Sequence, residues 1–411
     1  MAGSISGSRF VPRWLRFPVN YLRILAILFG IVLVFITAYW ILGRSGGNLL
    51  ATNVFFAALG AFLGVIWPAV RRAIIRARSP VEVGEYLVFA GQKFPFKVID
   101  GPTLYQPQDL VLNVTGNLEL PATLQRAKNH MAERMRSYRG SQVLFDGDCY
   151  LAVGQPMVRR SWENIRERPT VVVDLKKTSY FVRVLCRGAL ARSIEEHIAM
   201  DWPTDIPSLH DLRRSIITLS DGFSPFLHPG AGINLCLVAY DRMGRPWTLV
   251  QKRGTGIAEN TGVWATSIHE SFSSDDFTAD DTIDPFLTAA RGAREELGIS
   301  LTKIQYFVVG IDEGSLPGDQ VSRSGGLELI GYAETSLPAE RLEDTRFRGR
   351  DKFEAEELIA TQLSVEAILK VLQSSPPERW FPPALLAVLE TLERFRPGSW
   401  HRLAAALDST H

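Results

Sequence analysis

Arg291-Gly-Ala-Arg-Glu-Glu-Leu-Gly-Ile299 is the stretch from which the architecture can be read, because it carries both a helix and that helix's end. Just upstream, Asp284-Pro285 offers a side-chain oxygen for the N-cap and a proline for the first turn. Gly298 supplies the left-handed residue on which helices commonly stop. Arg291 and Glu295 stand four apart and face each other across one turn. Glu295 and Glu296 put adjacent carboxylates near the helix end, and their repulsion is relieved by a divalent cation such as Mg²⁺ or Mn²⁺, which prefer oxygen ligands. The same residues also read as a solvated acidic face with an ordinary ion pair.

A hairpin precedes this helix. Asn234-Leu-Cys-Leu-Val-Ala-Tyr-Asp241 reads as a strand, Arg242-Met-Gly-Arg245 as a turn, and Pro246-Trp-Thr-Leu-Val-Gln-Lys252 as the returning strand. Together with the helix, it resembles the Nudix hydrolase superfamily, whose box ends in R-E-U-x-E-E-x-G-U, with U a bulky aliphatic residue. Arg291, Glu295, Glu296, Gly298 and Ile299 match, and Ala293 is a small substitute at the first U. Trp264-Ala-Thr-Ser-Ile-His-Glu270 resembles the segment bearing the box's first glutamate, which makes Glu270 its counterpart. The resemblance spans roughly residues 228–372 and implies an α/β chain with a Nudix-type α/β/α sandwich over residues 228–375.

The chain departs from the pattern in three places. Gly292 stands where the family has a metal-ligand glutamate, and Trp264 where it has a glycine. Glu270 precedes Arg291 by twenty-one residues, which implies an inserted loop of about thirteen. That loop carries Asp275, Asp276, Asp280, Asp281 and Asp284, and it reads as a solvated acidic loop or as the source of a replacement ligand.

The chemistry implied by the resemblance is metal-assisted hydrolysis of a diphosphate linkage in a nucleoside-diphosphate-type substrate. Glu295, Glu296 and Glu270 would hold Mg²⁺ or Mn²⁺, and Arg291 would orient Glu295. Glu328, in the strand-like run from Gly325 to Glu334, would be a fourth ligand or an outward-facing strand residue, with Glu334 as second choice. His269 suits a structural or substrate-contacting role.

The N-terminal region reads as a membrane anchor. Ile24–Leu42 and Leu49–Val70 are uncharged runs of nineteen and twenty-two residues, each long enough as a helix to cross a bilayer core. They predict transmembrane helices at 21–43 and 49–70 after a cytoplasmic segment at 1–20. Arg9, Arg13, Arg16 and Arg23 precede the first run, and Arg71, Arg72, Arg76 and Arg78 follow the second, while the short connecting loop has only Arg44. The positive-inside rule puts both termini and the soluble part in the cytoplasm, with the hairpin in the inner membrane. Gly60 and Gly64, with Ala57 and Ala61, suit close packing within one hairpin or homo-oligomerisation of several.

Residues 80–227 read as a mixed α/β module, with strands near 86–90, 110–114, 170–174 and 179–185 and helices over 120–138 and 208–218. Arg159, Arg160, Arg183, Arg187, Arg213 and Arg214 read as surface charges or as phosphate contacts across a cleft. Residues 376–411 read as a helical tail. A net charge of +1, mixed in sign along the chain, gives no basic stripe for stable duplex nucleic-acid binding. Cys149, Cys186 and Cys236 lack metal-ligand spacing.

Two functions are compatible with these features. One is a membrane-anchored Nudix hydrolase. The other is a nucleotide sensor with reduced catalysis whose hairpin perturbs the membrane, since two spans joined to a Nudix-like domain resemble the membrane effectors of bacterial CBASS antiviral systems.

Overall fold

Strand β1 (Tyr86–Phe89) and β2 (Gln92–Asp100) form a hairpin, followed by β3 (Leu110–Asn117) and helix α1 (Ala122–Ser137). Next come β4 (Asp148–Ala152), β5 (Met157–Arg159) and β6 (Thr170–Ser179), then α2 (Tyr180–Cys186) and α3 (Arg192–Ala199). The central strands are β7 (Ala231–Tyr240), β8 (Pro246–Arg253), β9 (Trp264–Thr266), β10 (Ile268–Ser271) and β11 (Thr282–Ile283), leading into α4 (Pro285–Leu297). After these follow β12 (Leu301–Asp312), β13 (Gly326–Thr335), β14 (Ala355–Gln362), α5 (Val365–Ser374), α6 (Pro382–Phe395) and α7 (Ser399–Asp408). This computed structural model describes residues 83–138, 146–159, 169–186, 192–212, 226, 230–254, 262–314, 325–347 and 355–408. The expected segments at 1–20, 21–43 and 49–70 lie outside the described residues, and among those described no helix is long and apolar enough to cross a membrane.

Two sheets organise the unit formed by residues Ser79–His411. The larger has nine strands in the order β1-β2-β12-β13-β7-β8-β14, with β10 paired to β7 and β9 to β8. Its pairings are antiparallel except β13 with β7. The smaller runs β11-β3-β6-β4, with β5 on β6. The mixed α/β architecture is compatible with the expected sandwich. The boundary expected at 227/228 does not separate the sheets, because β2 pairs with β12 and β11 pairs with β3.

Side chains alternate between the two faces of the large sheet. Ile233, Leu235, Leu237, Ile268 and Leu329 meet Ala289, Ala293 and Leu297 of α4 in a core shared with Leu112, Val173 and Leu175 of the smaller sheet. On the opposite face Cys236, Val238, Ile330 and Tyr332 meet Leu385, Leu389 and Leu392 of α6 and Trp400 of α7. Fully burying one such leucine contributes about 2 kcal/mol. The segment expected as a helical tail is therefore a covering layer, and α6 is buried from Pro383 to Glu393. Glu393 stitches its end, accepting hydrogen bonds from Gly398 N (2.6 Å) and Trp400 N (3.0 Å).

Two expectations fail on local grounds. The run 179–185, expected as a strand, is mostly helix α2. Asp146 supplies the missing start signal, its Oδ1 accepting from Phe181 N at 2.9 Å, and the apolar side chains pack against α1 and α3. The inserted acidic loop is not merely solvated. Phe272, Asp276 and Ile283 are buried, β11 pairs with β3, and Phe277 meets Tyr150 edge-on with ring centroids 5.6 Å apart.

Candidate functional site

Helix α4 starts and ends where its sequence requires. Asp284 Oδ1 accepts from Phe286 N at 2.8 Å, Pro285 fills the first turn, and Gly298 closes the helix at φ 64°. The amides of Gly298 and Ile299 then donate to the carbonyls of Arg294 (3.0 Å) and Ala293 (3.1 Å). Strand β10 lies beside this helix and holds Glu270 opposite Ile233 of β7.

Arg291 is the centre of the site. Its Nε and Nη2 donate to Oδ1 and Oδ2 of Asp276 at 2.9 and 3.0 Å, a two-pronged pair. Nη2 also donates to the Ser271 carbonyl at 2.7 Å. Nη1 faces Glu295 Oε2 at 3.1 Å and Glu270 Oε2 at 3.3 Å. The guanidinium thus donates four hydrogen bonds, to Asp276 twice, Glu295 and the Ser271 carbonyl, and pairs in addition with Glu270. Burial by itself would lower the pKa of Arg291, but the hydrogen bonds to Asp276 and the charges of Glu270, Asp276 and Glu295 raise it.

The remaining site residues expected from sequence fall around this centre. Glu296 is buried, and its Oε1 accepts from His269 N at 3.1 Å. Glu270 Oε1 accepts from Ser271 N at 2.9 Å. Gly292 leaves room for Glu270: a Cβ there would lie 3.1 and 3.3 Å from Glu270 Cβ and Cγ. Glu328 lies on the other face of the sheet, buried, accepting from Asn234 Nδ2 at 2.8 Å. Alternation puts it with Ile330 and Tyr332 on the α6 side, whereas Glu270 abuts α4. Glu334, the second choice, pairs with Lys303 at 2.7 Å. Trp264, at the family's glycine position, stacks on Trp380.

Three residues here were missed or undervalued in the sequence. Asp276 is fully buried, although its spacing from Ser273 is that of a capping box, the signal that could have exposed it. Arg253 Nη1 donates to His269 Nδ1 at 3.2 Å, and the His269 ring lies against Phe381. Arg183, buried in α2, donates to Ser271 Oγ and so reaches the site strand. Of the other arginines considered, Arg159 is exposed, while Arg160, Arg187, Arg213 and Arg214 lie outside the described residues.

Three carboxylates, Glu270, Asp276 and Glu295, surround the one guanidinium of Arg291, and Glu296 stands next to Glu295 on α4 with its Oε1 on His269 N. This excess of hard oxygen donors fits a divalent cation of the Mg²⁺ or Mn²⁺ class. Among the described residues, no three His, Cys, Asp or Glu side chains are arranged to hold a metal ion. Coordination therefore requires rotation of Glu270 and Glu295, whose side chains are 21% and 30% exposed, away from Arg291. A depression of about 320 Å³ lined by Gln362, Ser364, Val365, Glu366, Arg396 and Arg402 lies at the start of α5 and includes none of these acids.

No family model matches the chain, and no curated protein matches it. Among solved structures, a weak neighbour is the crystal structure of a Nudix hydrolase from M. Smegmatis, RenU. It is 16% identical, with 44% of this chain and 88% of that chain covered and a TM-score of 0.22.

Proposed function

We propose that the chain is a divalent-cation-dependent hydrolase of a nucleoside-diphosphate-linked or related nucleotide substrate. In this reading it is anchored in the inner membrane by helices 21–43 and 49–70, with both termini and the soluble part in the cytoplasm. The observation that carries the catalytic reading is the excess of carboxylates around Arg291 on a helix with box-like sequence. A diphosphate is repelled by such a cluster unless a cation stands between them.

In this mechanism Glu295, Glu296 and Glu270 are the holding carboxylates, and Arg291 keeps Glu270 and Glu295 directed to one locus. A bound Mg²⁺ or Mn²⁺ would neutralise diphosphate charge and make a water nucleophilic. Glu328 takes no part, because it belongs to the opposite face of the sheet.

A second reading is favoured by Gly292, which brings no carboxylate, and by the engagement of Glu270 and Glu295 with Arg291. It is a nucleotide sensor with reduced turnover, acting through the membrane hairpin in an antiviral role. The deciding assay is phosphate release by the full-length chain in detergent. The panel covers nucleoside diphosphate derivatives, dinucleoside polyphosphates and cyclic oligonucleotides, with and without Mg²⁺ or Mn²⁺. Metal-dependent turnover that is abolished by Glu295→Gln with Glu296→Gln is expected. Ligand-induced stabilisation without turnover selects the sensor, and turnover unchanged in the double variant removes the metal assignment.

A further inference from the structure

Asp276 lies outside the box-like motif, in the inserted loop, yet it makes the most buried contact of the site. Its side chain is 0% exposed; Oδ1 takes Arg291 Nε, and Oδ2 takes both Arg291 Nη2 and Ser273 N at 2.9 Å. Its carbonyl accepts from Asp284 N at 2.9 Å, which ties the loop to the N-cap of α4. Beyond it, β11 pairs with β3, so the loop is fixed at both ends of its buried turn.

Glu270 and Glu295 are held differently. Both face the single nitrogen Nη1, on the far side of the guanidinium from Asp276, and both are partly exposed. Resting on the hydrolase reading, we propose that Asp276 is a positioning residue that keeps Arg291 compensated and fixed, so that Glu270 and Glu295 can leave Nη1 for a cation. With Asp276 neutral, the buried guanidinium would depend on Glu270 and Glu295 for its charge balance, and a cation would compete with it for both. The inserted loop then has a function that is absent from the motif itself. It brings a dedicated counter-ion for the arginine and leaves the more accessible acids for ligand binding.

The test is Mn²⁺ binding to the full-length chain in detergent, followed by the electron paramagnetic resonance signal of free Mn²⁺ with no substrate present. Asp276→Asn keeps the side-chain volume and removes the charge; its dissociation constant is expected to rise about tenfold or more. In an Arg291→Gln background the same change is expected to leave the constant within about twofold, because its effect runs through Arg291. Wild-type binding with equal affinity in Asp276→Asn overturns this inference alone, as does an equal loss in both backgrounds. No binding by the wild type overturns it together with the hydrolase reading. Should Asp276→Asn not fold, Arg291→Lys keeps the charge but not the two-pronged pair. The same weakening is expected there, and unchanged affinity overturns the proposal.

Discussion

Arg291→Gln is the perturbation whose cost the structure specifies most closely. The substitution removes the guanidinium fork that meets both oxygens of Asp276 at 2.9 and 3.0 Å, in a side chain that is 0% exposed. Asp276 then keeps its hydrogen bond from Ser273 N but no counter-ion in that pair. Leaving a buried charge without its partner costs about 3–5 kcal/mol. Glu270 and Glu295 lose the same partner, but they are partly exposed and re-hydrate, so each adds at most about 1 kcal/mol. Against a typical domain stability of about 5–15 kcal/mol, the combined loss is large. Urea unfolding of the full-length chain measures it, with tryptophan fluorescence reporting on the buried Trp264–Trp380 stack and circular dichroism checking for a single transition. Adding Asp276→Asn removes the stranded charge, so the double variant should recover at least about 1 kcal/mol relative to Arg291→Gln. A loss below about 1 kcal/mol in the single variant, or a double variant less stable than the single, would refute the buried-charge argument.

Other consequences are more local. Asp241 caps the β7–β8 turn; burial would raise its pKa, but hydrogen bonds from Arg245, Trp247 and Met243 bring it down to about 2. Its stabilising contribution is therefore present above the ordinary aspartate value and lost as pH falls through about 4 to 2. Asp241→Asn should flatten the stability profile in that window, and an unchanged acid limb would count against the cap. Burial pushes the Cys236 thiol up to about 11, against hydrogen bonds to Thr248 and Thr391, and Cys149 and Cys186 are also buried. At pH 8 an aromatic disulfide reagent should label none of the three thiols in the native protein and all three in guanidinium; rapid native labelling would contradict the packing. Gly298→Ala places a side chain at φ 64° and should cost about 1–2 kcal/mol in urea unfolding, whereas a neutral result would argue against the left-handed cap.

Sequence was most readable where the signals were local. Asp284-Pro285 and Gly298 mark the two ends of α4 from within a few residues of the turns they make. The β7–β8 hairpin is equally local, with Asp241 fastening its own turn. Arg291 with Glu295 followed from helical spacing alone. What stayed hidden depended on distant partners. Asp276 meets Arg291 only after the intervening loop folds back, so a run of aspartates looked solvated. The segment Tyr180–Cys186 owes its helical start to Asp146, and its all-round burial erased the periodicity that separates helix from strand. Glu328 depended on register: a strand places alternate residues on opposite faces, and the parallel pairing with β7 puts Glu328 with Asn234 rather than with Glu270.

The most direct test of the account is the location of Mn²⁺ in crystals of the protein soaked with the ion, read from its anomalous scattering. The account predicts one peak beside α4, bound by oxygens of Glu270, Glu295 and Glu296, with Asp276 still paired to Arg291. A peak held by other residues, or Glu270 and Glu295 still turned to Arg291 with no peak beside them, would contradict it.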